Sequence, residues 1–486
     1  MKRLLATGLC LMALAARAAT GLDAAPAPGP ALPIAVPAFE SFTLPNGLRV
    51  VLAPRRGVPL VTGQLLVLAG REAEPADRAG LAGMVVALLS KGARRGGTDV
   101  DAATLARQAE ALGGTLDGAA GWRSSSTGMT VTTPRLGAML ALLADVNRAP
   151  LLAADELDRA RAQSLDGLRV AMDAPGSVAE LVARRAWWGS SAYGRSATPA
   201  SLQRLVIADV KAFHATHWRP DRAVLVLAGD VDTASARPLA EAAFGGWARP
   251  AADAATDAPP SRGSPAAPQL PPVVWLDMPG SGQSAVIVSA PALPQGDPQA
   301  RVAEVAHTLL GGGYSARLNQ VIRIERGLSY GAFGGAEGHP AGGVWSGQAQ
   351  TKHPSAAEVA GLMREAALRI AREPAPAAEL EARKAALIGG FANRLQTTGG
   401  LASLVASQIA QGRDPAELAQ RVDQIRAVTP EQVRDHAARW WKPENLRVTV
   451  AGDWAAAGDA VKALGDAVLR LPKVQLDLDQ VGLQRR

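Results

Sequence analysis

An arginine and a tyrosine seven residues apart, Arg323 and Tyr330, stand in the stretch GGGYSARLNQVIRIERGLSYGAFGG, residues 311–335. Glycine tolerates the left-handed conformation that closes a helix, so the helix carrying Arg323 is expected to end at Gly327. The residues after it alternate. Leu328, Tyr330 and Ala332 should point one way and Ser329, Gly331 and Phe333 the other, as on a strand. Arg323 then lies near a helix end and Tyr330 on a strand just past the turn. A guanidinium and a phenol aimed into one space can hydrogen-bond a carbonyl and stabilise negative charge growing on it. The plainer alternative is a helix-capping arginine beside a packed tyrosine.

Other reactive side chains fall into weaker patterns. His214 and His217 form H-x-x-H beside Trp218, a spacing that fits one helix face. The matching turn later in the chain has Ala437 and Trp440, so the pair reads as a surface or cap pair. Glu304 and His307 form E-x-x-H on a helix that Asp297 should cap, with Pro298 at its first position. Val302, Val305, Ala306 and Leu309 make the apolar face there, which puts Glu304 and His307 on the solvated side. His339, His353 and His436 have no ligand partner at a recognisable spacing. There is no G-x-S-x-G, phosphate loop or dinucleotide fingerprint. The glycines at 311–313 lack the lysine and Ser/Thr of a phosphate loop.

The elements that must position these residues come from a chain of 486 residues, long enough for more than one core. Hydrophobic residues make up 48%, so a packed fold is the expectation and disorder is not. Lys2 and Arg3, the apolar run Leu4 to Ala15 and Ala16-Arg17-Ala18 read as a signal peptide over residues 1–18. The run is too short for a membrane span. Cleavage would lower the formal charge from +7 to +4 and remove Cys10, the only cysteine. The mature chain then needs no oxidative folding and has no thiolate metal site. Its arginines are dispersed, with no basic patch interleaved with aromatics for nucleic acid. A periplasmic location follows from the signal.

Residues 19–36 are an Ala/Pro-rich lead-in. FESFTLPNGLRVVLAP reads as two strands around a Pro-Asn-Gly turn. Helices follow at Leu81 to Leu88, Asp101 to Leu112 and Arg135 to Val146, with strands between them. That order argues for an α+β domain with an antiparallel sheet, over 37–250. Residues 251–272 are a Pro/Ala-rich linker, 273–475 a second domain and 476–486 a tail. The two bodies repeat. VKAFHATHWRPDRAVLVLAGD (210–230) aligns without gaps on VRDHAARWWKPENLRVTVAGD (433–453) at an offset of 223. Val210/Val433, Trp218/Trp441, Pro220/Pro443, Gly229/Gly452 and Asp230/Asp453 coincide. The chain is therefore expected to be a tandem duplication.

The stretch at 311–335 resembles the signature of the insulinase/pitrilysin peptidases, which include the mitochondrial processing peptidases. The resemblance covers roughly residues 39–472. It implies two homologous halves, each of antiparallel sheets packed with helices, facing each other as a clamshell. In that family an arginine and a tyrosine seven residues later contact substrate backbone opposite a zinc ion, and Arg323 and Tyr330 match them. The family's first half carries H-x-x-E-H, with a glutamate further on as third ligand. GLAGMVVALLSKG (80–92) resembles the surrounding stretch, but the motif positions fall on Gly83, Val86 and Ala87. The only carboxylate near the later ligand is Asp166. SAYGRSATPASLQRL (191–205) resembles the segment after that ligand, with Tyr193, Gly194 and Arg195 kept for packing. The resemblance thus implies a non-catalytic subunit that binds no metal or cofactor. Its partner would be a zinc-motif-bearing chain of the same family, in a heterodimer, with peptides as substrate. The alternative is a scaffold or peptide-binding protein of the cell envelope with no role in proteolysis.

Overall fold

The computed structural model describes residue 29 and residues 33–249, 270–465 and 467–485. The expected signal peptide, nearly all of the lead-in before residue 33 and most of the linker lie outside the described residues.

In the first half, β1 (Glu40–Thr43), β2 (Arg49–Pro54) and β3 (Leu60–Val67) precede α1 (Leu81–Leu89). A small ribbon of β4 (Gly92–Arg95) and β5 (Thr98–Asp101) leads to α2 (Ala102–Ala111), β6 (Asp117–Ala120) and β7 (Ser125–Thr132). Then come α3 (Leu136–Arg148), α4 (Ala154–Asp173), α5 (Pro175–Trp188), α6 (Pro199–Arg204), α7 (Ile207–His217), β8 (Ala223–Gly229) and α8 (Thr233–Phe244). The hairpin at Pro45-Asn46-Gly47 forms as the sequence suggests. Thr43 pairs with Arg49, and Gly47 takes the positive φ of +94° that the turn needs.

The second half runs β9 (Val273–Asp277), β10 (Ser284–Ala292), α9 (Ala300–Gly311), α10 (Arg317–Asn319), β11 (Ala332–His339) and β12 (Gly342–Thr351). It continues through α11 (Ala356–Arg372), α12 (Ala377–Leu395), α13 (Thr398–Ala410), α14 (Arg421–Arg426), α15 (Pro430–Trp440), β13 (Arg447–Gly452) and β14 (Val468–Pro472).

Each half has a six-stranded sheet, β1-β2-β8-β3-β7-β6 and β14-β9-β13-β10-β12-β11. Five of the six strands correspond in order, so the two sheets are copies of one pattern. Both are rich in antiparallel pairs. Parallel pairs occur where a late strand returns beside an early one, β8 on β2 and both β13 and β14 on β9. The offset of 223 holds in the structure: α7 and α15 share it at both ends, and Trp218 and Trp441 close them with similar ψ of 78° and 73°. Each tryptophan fills its own half's core, and the proline two residues on opens a short 3₁₀ turn into the strand.

The halves also exchange helices. α5 of the first half lays Val178, Ala179, Val182 and Ala183 on Ala285, Ile287 and Ala451 of the second half's sheet. Its counterpart α13 packs reciprocally on β3 and β8 of the first. Across that contact Thr62 Oγ1 donates to Thr398 Oγ1 at 2.8 Å. The strands explain the exchange. AVLVLAG in β8 is apolar at every position and buried throughout, so both faces of the sheet need a cover. Contacts join the described residues from Val36 onward into one unit.

Candidate functional site

Arg323 lies in a π-helical turn, Gln320–Glu325, that continues α10. Such turns widen the helix by one residue and often mark functional sites. Gly327 closes it with φ +63°, as its type demands. The Gly327 N–H donates to the Arg323 carbonyl at 3.1 Å, and the Leu328 N–H reaches back to Ile322 at 2.8 Å.

Beyond Gly327 the structure departs from the expected strand. Ser329 Oγ donates to the Gly331 carbonyl at 2.8 Å and accepts from the Gly331 N–H at 3.2 Å. That local bond turns the backbone, a habit of serine hydroxyls, and β11 starts only at Ala332. The alternation therefore breaks at Tyr330, which stands 92% exposed between half-buried Ser329 and Gly331. The Arg323 guanidinium sits 4.9 Å over the Tyr314 ring. Among the described residues, no protein group holds a donor of Arg323 or Tyr330 by a hydrogen bond or ion pair. The two are not joined to each other, and Tyr330 lines a cleft.

That cleft, of about 510 Å³, lies between α5 and the second sheet, with Ser177, Glu180, Gln348, Gln350 and Tyr330 on its walls. A second cavity of about 600 Å³ shares Ser177 and Glu180. Its floor is α1, where Gly83 and Ala87 face the open space and nothing lies within 4 Å of a Cβ built at Gly83. Val86 is on the other side, 7% exposed, packed so closely under β6 that a Cβ at Gly118 would stand 2.7 Å from it. The wall from α4 is Ser164, Gly167, Leu168 and Ala171. Asp166 is not in it; its carboxylate accepts from Arg169 at 3.1 Å on an exposed face.

These residues do not fit a metal: a glycine, a valine and an alanine offer no ligand, and Asp166 turns away. Among the described residues no three His, Cys, Asp or Glu side chains gather as metal ligands. Glu74, in the same cavity, is instead tied to α1. It accepts from the Ala82 N–H at 2.8 Å and the Gly80 N–H at 3.1 Å, satisfying donors at the helix start. Burial outweighs these bonds and pushes its carboxyl up to about 7.

The histidines require two corrections. His214 and His217 are not a surface pair. His214 Nε2 meets the Asn147 carbonyl at 2.9 Å and its ring stacks on Trp218, while His217 lies against Phe213. Glu304 and His307 are not solvated either. Glu304 is clamped by Arg301 at 2.7 Å and by Arg421, and His307 stacks on Trp441 with Nε2 enclosed and unpaired. Counting apolar faces missed this because α12–α15 cover the polar side of α9 as well. His339 also has a structural role: it stacks on Tyr193 at 3.8 Å, and the Tyr193 hydroxyl donates to Glu72 at 2.8 Å. Arg195 donates to the Glu74 carbonyl at 3.1 Å.

With this geometry in hand, residues 204–387 match the family described as Peptidase M16 inactive domain. The chain is 25% identical to a protein of Streptomyces coelicolor named as an uncharacterised zinc protease, over 81% of this chain and 85% of that one. It is 27% identical to another so named in Mycobacterium tuberculosis, over 84% and 92%. By these matches the chain is similar to M16, or insulinase-type, peptidases. Among solved structures, a protease from Helicobacter pylori superposes with a TM-score of 0.78 at 18% identity, covering 86% of this chain and all of that one. A peptidase M16 inactive domain from Pseudomonas fluorescens gives 0.77 at 22%, covering 86% and 98%. Both share the two-half fold. No helix among the described residues is long and apolar enough to cross a membrane.

Restoring the motif letters in this chain is not expected to restore a peptidase. Histidines at 83 and 87 have room, but Val86→Glu would place a carboxylate in the buried space under β6, against Gly118. That should cost about 2–4 kcal/mol. The third ligand is still missing, and orientation by surrounding groups was never built. The triple variant Gly83→His/Val86→Glu/Ala87→His should melt below the unmodified chain and show no zinc-dependent turnover. Stoichiometric zinc with rapid peptide cleavage would contradict this.

Proposed function

We propose that this chain is the non-catalytic, substrate-binding member of an M16 zinc peptidase complex. A partner chain of the same family carries the zinc motif, and this chain supplies Arg323 and Tyr330 to the peptide held there. One observation supports this reading most. The donors of Arg323 and Tyr330 are uncommitted among the described residues, while the positions where the family holds zinc are Gly83, Val86 and Ala87.

A second feature agrees with a partner. Of nine exposed large apolar side chains among the described residues, four lie in one stretch: Tyr314, Ile324, Tyr330 and Phe333. Exposed apolar side chains concentrated in the segment that carries Arg323 and Tyr330 agree with its being covered by another molecule. The peptide would lie in the space bounded by Ser177 and Glu180, which the Tyr330 cleft and the α1 cavity share. The N-terminal sequence pattern supports a periplasmic location for this complex, with residues 1–18 cleaved.

The test is reconstitution with a family member that has an intact H-x-x-E-H, from the same genome. The expected result is a stable heterodimer whose peptidase activity per zinc far exceeds that of either chain alone. A heterodimer no more active than the partner alone would favour a scaffold with no role in proteolysis. Failure to associate at micromolar concentration would remove the partner from the proposal.

A further inference from the structure

The duplication gives the degenerate cavity a counterpart in the second half, and the two have diverged in charge. This second cavity, about 620 Å³, is framed by α9, α12, α13, α14 and β11. Leu387, Gly390, Phe391 and Leu404 line it at an offset of 223 from Ser164, Gly167, Leu168 and Leu181 of the first. Three guanidinium groups face it, Arg301, Arg394 and Arg421, against one carboxylate, Glu304. A fourth, Arg413, is paired with Glu417 at 2.9 Å.

Glu304 is shared between Arg301 and Arg421. One negative charge therefore serves two cations that are each less than a fifth exposed. Arg394 has no carboxylate partner among the described residues, and it lies near enough to Arg421 to repel it. The sum is a surplus of two positive charges, one on the buried Arg301–Glu304–Arg421 cluster, where water screens it poorly, and one on Arg394 at the solvent-reached rim. The surplus has unused bonding capacity. Arg421 Nε is enclosed without an acceptor, and so is His307 Nε2 without any partner. An enclosed polar atom with no partner in a native fold calls for one. The opposite wall is apolar, with Leu387, Leu404 and Leu418, and Phe391 lies 5.3 Å from the Arg421 guanidinium.

We propose that this cavity is a binding site for a small organic dianion, its two charged groups held by Arg394 and Arg421 and its apolar body against Phe391 and Leu404. Two carboxylates or one phosphate supply such charges, and a guanidinium fork suits either. The site shares no lining residue with the Tyr330 cleft, so it does not depend on the function proposed above.

The experiment is calorimetric titration of the full mature chain with two probes, phthalate and phenyl phosphate, and with neutral benzamide as control. Saturable binding of one or both anions is expected, weakening as salt rises, with no binding of benzamide. The probe bound more tightly tells carboxylate from phosphate. Arg394→Gln, at an exposed position, should fold normally and weaken binding at least about tenfold. Arg394→Lys should recover only part of that loss. Arg323→Ala should bind as the unmodified chain does. Failure of both anions to saturate, or equal affinity in Arg394→Gln, would overturn the assignment. Saturation by an acidic peptide but by neither small anion would overturn it in favour of a peptide site.

Discussion

Acidification from pH 7 to 4.5 should cost this fold roughly 7 kcal/mol of stability, most of what a typical protein has. The cause is four histidines kept neutral by burial. In the folded chain His214, His217 and His436 are pushed down to about 4, and His307 to about 3, from 6.5. A folded value below the unfolded one means that the unfolded chain takes up the proton first. The stability is fully present above pH 6.5 and is lost as pH falls toward 4. Each histidine then costs about 2.5 kcal/mol at pH 4.5. Glu74 works the other way. Its folded value of about 7 lies above 4.5, so it stabilises below pH 4.5 and loses that contribution as pH rises through 7. Acidification returns about 2.5 kcal/mol through it. Denaturant titrations at the two pH values measure the difference. In His307→Leu the loss between pH 7 and 4.5 should shrink by about 2.5 kcal/mol, and in Glu74→Gln it should grow by a similar amount. Comparing each variant with itself cancels any change in its packing. Equal stability at both pH values would show that these imidazoles are not held neutral.

Those same histidines show where reading the sequence stops. On α9, Val302, Val305, Ala306 and Leu309 mark one inward face, and the remainder looks solvated. The structure wraps α12–α15 around the other side, so His307 meets Trp441 from the same half's late helix. A periodicity records that a face is apolar, but it does not record that the opposite face is covered by polar contacts such as Arg421 on Glu304. The duplication was legible because its Trp-x-Pro corner and Gly-Asp strand end are rare and rigid. The exchange of α5 and α13 was not. Their sequences, PGSVAELVARRAWW and TGGLASLVASQIA, are each ordinary amphipathic helices. Nothing in either says which sheet it will cover.

The Arg–Tyr pair was legible as residues and as a helix end, since Gly327 fixes the turn. The place of Tyr330 was not, because Ser329 competes with the strand for the Gly331 N–H. The signal was present in the letters: a serine two residues before a glycine, beside a strand start. The cavity at Arg301, Arg394 and Arg421 had no local signature. Its three cations come from three helices and meet only through packing.

In a reconstituted complex, Arg323→Ala or Tyr330→Phe in this chain should lower turnover per zinc about a hundredfold. As water adds to a scissile carbonyl, negative charge builds on nearby substrate oxygens. Donors already aimed there stabilise that charge more than they stabilise the ground state. Losing one such donor typically costs roughly 3 kcal/mol. Both donors are free to act, since Tyr330 is 92% exposed and Arg323 is held only by its contact with the Tyr314 ring. The folded chain should tolerate both changes, because neither side chain fills a core. Assembly should therefore be intact, and melting should move little. The pattern of the kinetic loss separates two roles. A fall in kcat and in kcat/KM together means that the donors act in the transition state. A rise in KM with kcat unchanged means that they only hold the peptide backbone. Tyr314→Ala provides a third comparison. It removes the ring beneath the guanidinium while leaving Arg323 and Tyr330 in place, so it should reproduce part of the Arg323→Ala loss by freeing the arginine. If Arg323→Ala and Tyr330→Phe both assemble and cleave as fast as the unmodified complex, the pair has no part in the reaction. The exposed stretch from Tyr314 to Phe333 would then be a docking surface alone.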